Sequence, residues 1–413
     1  MTPSASGLSA AQPVATGLRW VAFAYALFVL PSDWGGRGGW TLTCAAILAA
    51  LAGLVSLIPA WRSRAGRFAV LLWGAAALAA SLALIPGRGE EALLSWRVFA
   101  ALPGLGVAAL VEAGRGRARL LAAVAGLAIV WEAAWAWYTW WGGGGGGGGG
   151  FMTGHFYWRN QFGIFVAVGV VLWTAWAVSQ PGRGRVLAGV TAGALLAATY
   201  LSGSRASLAL AVVGGVAAAV AIGRGWARKL LVVALVGLLG LGALALAKKS
   251  TPSDRPQGLA VRGNDAGSSA FGRLDWWRAA GEVFADHPVL GVGLGLYGKA
   301  AAPYQHGPIK SRYAHNEYLQ AAAEGGTPLA LAAVGVLAAG ALVAWRLVRK
   351  GFPGMESGLV VGAGVLLAHA GFDFDWHYPA LPALLAVLLG SPAGALWASA
   401  RPTDPAWETA RDA

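Results

Sequence analysis

The chain has 413 residues, 57% of them hydrophobic and 12% charged, with a mean hydropathy of +0.59 and a net charge of +13. That composition exceeds what a soluble core needs and excludes soluble, disordered and disulfide-scaffold classes. One cysteine, Cys44, excludes an intramolecular disulfide and a cysteine-based metal cluster.

The apolar runs are rich in Leu, Ala, Val and Gly, and many approach the roughly 20 residues that cross a bilayer. No period-two alternation is present, and a lipid-exposed backbone must satisfy its hydrogen bonds internally. The reading is an all-α polytopic membrane protein, a single integral membrane domain over 1–413. Twelve spans are predicted, over 17–32, 40–60, 68–86, 95–112, 119–141, 161–179, 185–202, 206–222, 229–247, 327–346, 357–375 and 379–399. The first is short and follows a tail whose only basic residue is Arg19; without a persuasive cleavage site it is read as a span. Cys44, in the second, is read as packing.

One set of short loops carries fourteen basic residues: Arg62, Arg64, Arg67, Arg115, Arg117, Arg119, Arg183, Arg185, Arg224, Arg228, Lys229, Arg346, Arg349 and Lys350. The opposite set carries four, Arg37, Arg88, Arg159 and Arg205. Basic residues near span ends are retained in the cytoplasm. Both termini are therefore expected there, with a Gly-rich loop at 142–160, the turns 203–206 and 376–378 and a large loop at 248–326 in the periplasm. The positive charge then reads as a topology signal and needs no nucleic-acid partner.

In span five Glu132 is an unexplained charge, and the span ends in Trp137, Tyr138, Trp140 and Trp141, the pattern of an interfacial belt. Nine glycines follow, Gly142 to Gly150, a flexible coil that reads as a tolerated expansion rather than a lid. GHFYWRNQFG then sets Arg159 and Asn160 at the mouth of a helix, and SGSRAS is a turn too short to carry Arg205 far. Ser202 and Ser204 can cap the helix beginning near Ala206, so amide groups and a guanidinium converge in a way that suits phosphate. In the large loop, Leu274, Trp277, Gly281 and Phe284 oppose Asp275, Arg278, Glu282 and Asp286, predicting an amphipathic surface helix over 272–285. The glycines of DHPVLGVGLGLYG suggest a tight turn and form no dinucleotide fingerprint. After Lys310, Arg312 and His315, the sequence HNEYLQAAAEGG predicts a helix ending at Gly325–Gly326, with Asn316, Glu317, Gln320 and Glu324 on its polar side.

Ionisable groups near membrane depth are functional candidates by default. Arginines on one face can hold a diphosphate while neutral His315 accepts a proton from a hydroxyl. In HAGFDFDWHYPA, His369, Asp373 and His377 recur every four residues on one predicted helix face. With Asp375 they suggest metal geometry, but acceptor binding or bracing of the loop is the preferred reading.

R-N-Q, S-R-A-S, G-R-x-x-x-W followed by D-H-P-V-L-G-V-G, H-N-E-Y-L-Q-A-A-A-E-G-G and H-A-G-F-D-F-D-W-H-Y-P-A together resemble the O-antigen ligase superfamily, over roughly 155–385. That superfamily includes lipopolysaccharide O-antigen ligases, polysaccharide polymerases and O-oligosaccharyltransferases. The resemblance implies twelve helices, a large periplasmic loop with short amphipathic helices, and glycosyl transfer without metal or cofactor. The donor would be a polyprenyl diphosphate-linked glycan; the acceptor, lipid A core or a second glycan; the location, the inner membrane. It also implies catalytic roles for His315, Arg205 and Arg273. Arg159, Asn160, Arg312, Asn316, Glu317, Gln320, Glu324, His369, Asp373, Asp375 and His377 are the expected substrate contacts.

A glycan-lipid transporter is disfavoured because polar groups sit at the outer span ends and no inverted repeat is evident. A non-catalytic envelope receptor would use the same loop for binding alone. Within the enzyme reading, ligase and polymerase differ only in acceptor, and the short tail after span twelve argues against a protein acceptor.

Overall fold

A computed structural model of the protein describes residues 5–142, 150–222, 225–250, 266–350 and 355–398. Most of the glycine run, 143–149, and residues 251–265 of the large loop lie outside them, so the readings made for those stretches are not addressed by it. Among the described residues every regular element is a helix. In chain order they are α1 (Ala5–Ala24), α2 (Gly39–Leu54), α3 (Leu57–Trp61), α4 (Arg64–Leu82), α5 (Ala92–Ala100), α6 (Gly104–Glu112), α7 (Ala118–Trp141) and α8 (Arg159–Ser179). There follow α9 (Gly182–Leu201), α10 (Arg205–Ala221), α11 (Trp226–Ser250), α12 (Ala266–Asp286), α13 (Tyr297–Ala301), α14 (Glu317–Lys350), α15 (Met355–Ala370) and α16 (Ala380–Ala398).

Seven helical stretches are long and apolar enough to cross a bilayer, and three shorter apolar helices accompany them, Gly39–Leu54, Arg205–Ala221 and Glu356–Ala370. One of the seven, Ala92–Trp141, is divided into α5, α6 and α7 by breaks after Ala100 and at Gly116. At the centre is α8, apolar on every side and buried along nearly its whole length, as a helix surrounded by other helices must be. It packs on α7, α9, α10 and α15. Small residues bring backbones together elsewhere, notably where α6 crosses α16: a Cβ on Gly390 would sit 2.1 Å from the Gly106 carbonyl oxygen.

A cluster of paired charges lies inside this apolar body. Arg19 is buried in α1 and its Nε donates to Glu112 of α6 at 2.6 Å; Arg115 and Arg117 converge on the same carboxylate, at 3.1 and 2.5 Å. Trp20 Nε1 donates to its other oxygen at 3.2 Å. Two arginines counted as loop charges therefore also neutralise a carboxylate that was not recognised as their partner.

Two local expectations change, and two are refined. Cys44 is exposed on the outward face of α2 rather than packed inside. The helix after His315 breaks at Gly325–Gly326 as expected: Gly326, at φ 62°, ψ −157°, is non-helical, and a second helical stretch joined to the first across this kink runs on to Lys350. A side chain at Gly326 would meet the Val289 carbonyl oxygen at 2.5 Å, so the kink is held against the preceding loop. The surface helix expected over 272–285 forms within α12; Ala279, Ala280 and Val283 pack on Tyr297, Ala301, Ala314 and Ala323, and Leu274 of the expected membrane-facing stripe is 57% exposed. Finally, α15 stops at Ala370, and a turn leads into a short 3-10 segment, Asp375–His377. His369, Asp373 and His377 thus share no helix face, which removes the geometric basis of the metal idea.

Candidate functional site

The segment 369–378 is where the polar groups of the chain meet, and its histidines and aspartates form pairs. His315 precedes α14 and its Nδ1 lies 3.1 Å from Asp373 Oδ1. His369 Nδ1 lies 2.8 Å from Asp375 Oδ2. His377 Nδ1 lies 3.2 Å from Glu317 Oε1. Each imidazole thus has a carboxylate that can fix its tautomer and support its positive charge.

Of the three, His315 is built for contact with something else. Its backbone is left-handed at φ 51°, one of two such non-glycine residues among those described, a conformation that costs energy and collects at functional positions. The Trp276 ring stacks on its imidazole at 4.7 Å and Phe374 meets it edge-on at 4.8 Å, while Trp277 Nε1 donates to its carbonyl at 3.2 Å. The ring stays partly open, whereas His369 and His377 are buried. Nε2 of His315 has no hydrogen-bond partner among the described residues.

Asp373 ties the predicted arginine segments together. Asn160 Nδ2, in the first turn of α8, donates to Asp373 Oδ2 at 2.6 Å, and Arg273 Nη2 of α12 lies 3.6 Å from the same oxygen. Arg273 Nε also donates to the Phe372 carbonyl at 2.9 Å. Burial raises the affinity of Asp373 for a proton, but the His315 hydrogen bond and the charges of His315, His369 and Arg273 outweigh it and hold the carboxyl well below its usual range. Arg205 opens α10, capped by Ser204, whose Oγ accepts from Ser207 N at 3.3 Å. Ser207 Oγ in turn lies 3.2 Å from His369 Nε2 and 3.4 Å from the Asn160 carbonyl. The predicted cap therefore forms, and the first turn of α10 is wired into the same network. Arg159 adjoins Asn160 in the first turn of α8 and places its guanidinium over the Phe151 ring, 3.9 Å from the centroid.

The polar side of α14 is turned inward and mostly engaged. Asn316 Oδ1 caps the helix, accepting from the Tyr318 and Leu319 amides, both at 3.1 Å. Glu317 also accepts from the Trp376 amide, Gln320 Nε2 sits 3.0 Å from His377 Nε2, and Glu324 accepts from the Gly295 and Tyr297 amides at 3.0 and 3.3 Å. Glu317, Gln320 and Glu324 thus orient the glycine turn and the 375–378 segment. Burial disfavours the charge of His377, but Glu317, with Glu324 and Glu91 behind it, pushes its pKa up to about 9. Arg312 stands apart, exposed and 3.4 Å from Glu90.

Several members of the network were not foreseen. Gln161 is buried with its Nε2 3.4 Å from Asp375 Oδ1, and Gln161 Oε1 and Asn160 Oδ1 are buried acceptors without a protein partner among the described residues. The R-N-Q triplet was the available signal. Arg37 bonds Glu91 at 2.5 Å, and Tyr313 O–H donates to Glu91 at 2.8 Å while stacking on Phe374 at 4.5 Å. Burial and Glu91 push the Tyr313 phenol up to about 12, so it remains a donor. Glu132, unexplained from sequence, accepts from the His155 amide at 2.7 Å and lies 2.8 Å from its ring Nδ1, anchoring the loop that leads to Arg159.

No curated protein matches the chain. Residues 190–334 match the family model described as O-antigen ligase, a stretch that contains Arg205, Arg273 and His315 and ends before His369. The resemblance to the O-antigen ligase superfamily carried by the motifs is borne out over that stretch.

Proposed function

We propose that this membrane protein is a glycosyltransferase of the ligase type, moving a glycan from a polyprenyl diphosphate donor to an acceptor hydroxyl on the periplasmic face of the inner membrane. The twelve-span topology with both termini cytoplasmic is part of this proposal. The observation that carries it is the dyad of His315 and Asp373, bound to Arg273 and Asn160 and set beside the first turn of α10 that carries Arg205.

The acceptor hydroxyl transfers its proton to His315 Nε2, and its oxygen forms the new bond to the anomeric carbon. Asp373 holds Nδ1 and stabilises the imidazolium as it forms, a role the lowered proton affinity of its carboxylate suits. The bond from the anomeric carbon to the diphosphate breaks, and its electron pair leaves with the diphosphate. Arg205 and Arg273 stabilise that developing charge, so the leaving group needs no proton. Attack opposite the leaving group inverts the anomeric configuration. The unpartnered Asn160 Oδ1 and Gln161 Oε1 supply acceptors for sugar hydroxyls.

Purified protein mixed with a synthetic polyprenyl diphosphate glycan and lipid A core should release polyprenyl diphosphate and form a new glycoside. His315→Ala and Arg205→Ala should each cut this by about 10²-fold or more, with expression unchanged. Normal transfer by His315→Ala would end the assignment of the base. A product in which glycan accumulates on glycan would identify a polymerase instead.

A further inference from the structure

Away from the site, an apolar groove of about 880 Å³ lies between α4, α6, α14 and α16. Along α14 it extends from Leu329 to Lys350, a rise of about 30 Å, close to the hydrocarbon thickness of a bilayer. Its walls are formed by residues such as Leu72, Trp73, Val336 and Leu389, with Phe99 and Trp376 closing the end nearest the site. Four cations, Arg64, Arg346, Arg349 and Lys350, gather at the other end, and no carboxylate lines the groove among the described residues. Arg349 is braced there, its guanidinium 4.4 Å from the Trp345 ring centroid.

We propose that this groove binds an anionic phospholipid from the leaflet opposite the site. Its phosphate is held by Arg64, Arg346, Arg349 and Lys350, and its acyl chains lie along α14 toward Trp376. The argument is charge complementarity: an apolar channel of membrane length with positive charge at one mouth alone fits an amphiphile with one anionic head. The same asymmetry argues against the glycan donor as occupant. The donor's diphosphate must lie near Arg205, Arg273 and His315, at the end of the groove where no cation lines it. Ala332, Ala333 and Ala339 on α14 leave the space that a chain fills. Because the groove ends on Trp376, whose amide donates to Glu317, a bound chain also supports the floor of the site.

The exclusion of the donor as occupant rests on the proposed function, the charge argument does not, and the test needs no turnover. Purified full-length protein in detergent is offered phosphatidylglycerol, phosphatidylcholine and undecaprenyl phosphate at equal concentration, and retained lipid is read by native mass spectrometry. Phosphatidylglycerol should be retained roughly ten-fold over phosphatidylcholine, and the double variant Arg346→Gln, Arg349→Gln should remove that preference. Ala339→Trp should lower retention of both phospholipids by filling the channel. Equal retention of the two phospholipids by unaltered protein would overturn the proposal, as would an unchanged preference in the double variant. Displacement of phosphatidylglycerol by undecaprenyl phosphate would reassign the groove to the donor's tail.

Discussion

His315 sits in a left-handed backbone conformation, stacked on Trp276 and bonded to Asp373. Strain of this kind persists only where the surroundings over-determine it, and here a ring on each side and a carboxylate behind do so. If Asp373 orients and supports the imidazole, Asp373→Asn should lower kcat by about 10²-fold or more with a smaller change in donor KM. A parallel rise in KM alone would make Asp373 a donor contact through Arg273 instead. His377 behaves differently because it is fully enclosed and faces Glu317, Glu324 and Glu91. Its pKa in the folded protein is about 9, above the ordinary 6.5, so the ion pair stabilises the fold fully below about pH 6.5 and that contribution fades as pH rises through about 9. Thermal unfolding of the detergent-solubilised protein should show a fall in Tm between those limits that Glu317→Gln abolishes. A Tm that rises over the same range would contradict the pairing.

At the level of elements, length and apolarity made most helices legible, because a lipid-facing backbone has few alternatives. Their interruptions were legible only in part, because tertiary contacts also decide them. Gly325–Gly326 followed by Pro328 marks a helix end, and the backbone does leave helical geometry at Gly326 against the loop at Val289, but the end of α15 at Ala370, inside the predicted span 357–375, lacks that mark of paired glycines and proline. Nor was the buried face of α12 legible: Ala279 and Ala280 allow close approach and go inward, while the larger Leu274 is left outside. Gly326 occupies a region of backbone space nearly closed to other residues, so Gly326→Ala should cost about 1–3 kcal/mol and reduce activity by displacing Glu317 and Gln320. Wild-type Tm and turnover in that variant would show that the kink is not needed. The α1–α6 contact is a stronger case. Glu112→Gln leaves Arg19 buried without its anion and should destabilise the protein by about 3–5 kcal/mol, seen as lost monodisperse protein on size-exclusion chromatography; a variant as stable as wild type would mean Arg19 finds another partner.

Across the whole molecule the site is assembled from stretches at 159–161, 205–207, 273–277, 315–324 and 369–378. Each was conspicuous in the sequence as polar residues in an apolar chain, which is why most of the network was legible. Which histidine takes which carboxylate was not, since His315 and Asp373 are 58 residues apart and Glu317 and His377 are 60. Adjacency in sequence suggested a metal helix face, and distant pairing replaced it. The distribution of charge also bears on the proposed orientation. The basic cluster of Arg64, Arg346, Arg349 and Lys350 lies at the end of α14 away from Glu317, so the positive-inside bias and the position of the site make one joint prediction. With a single native cysteine, exposed on α2, the test is direct. In a Cys44→Ser background, Glu90→Cys near the site should react with a membrane-impermeant maleimide in intact cells. Arg62→Cys and Arg349→Cys should react only after permeabilisation. Glu90 is 90% exposed, so failure to label it in intact cells while Arg349→Cys labels would invert the topology and move the site, with its donor and acceptor, to the cytoplasm.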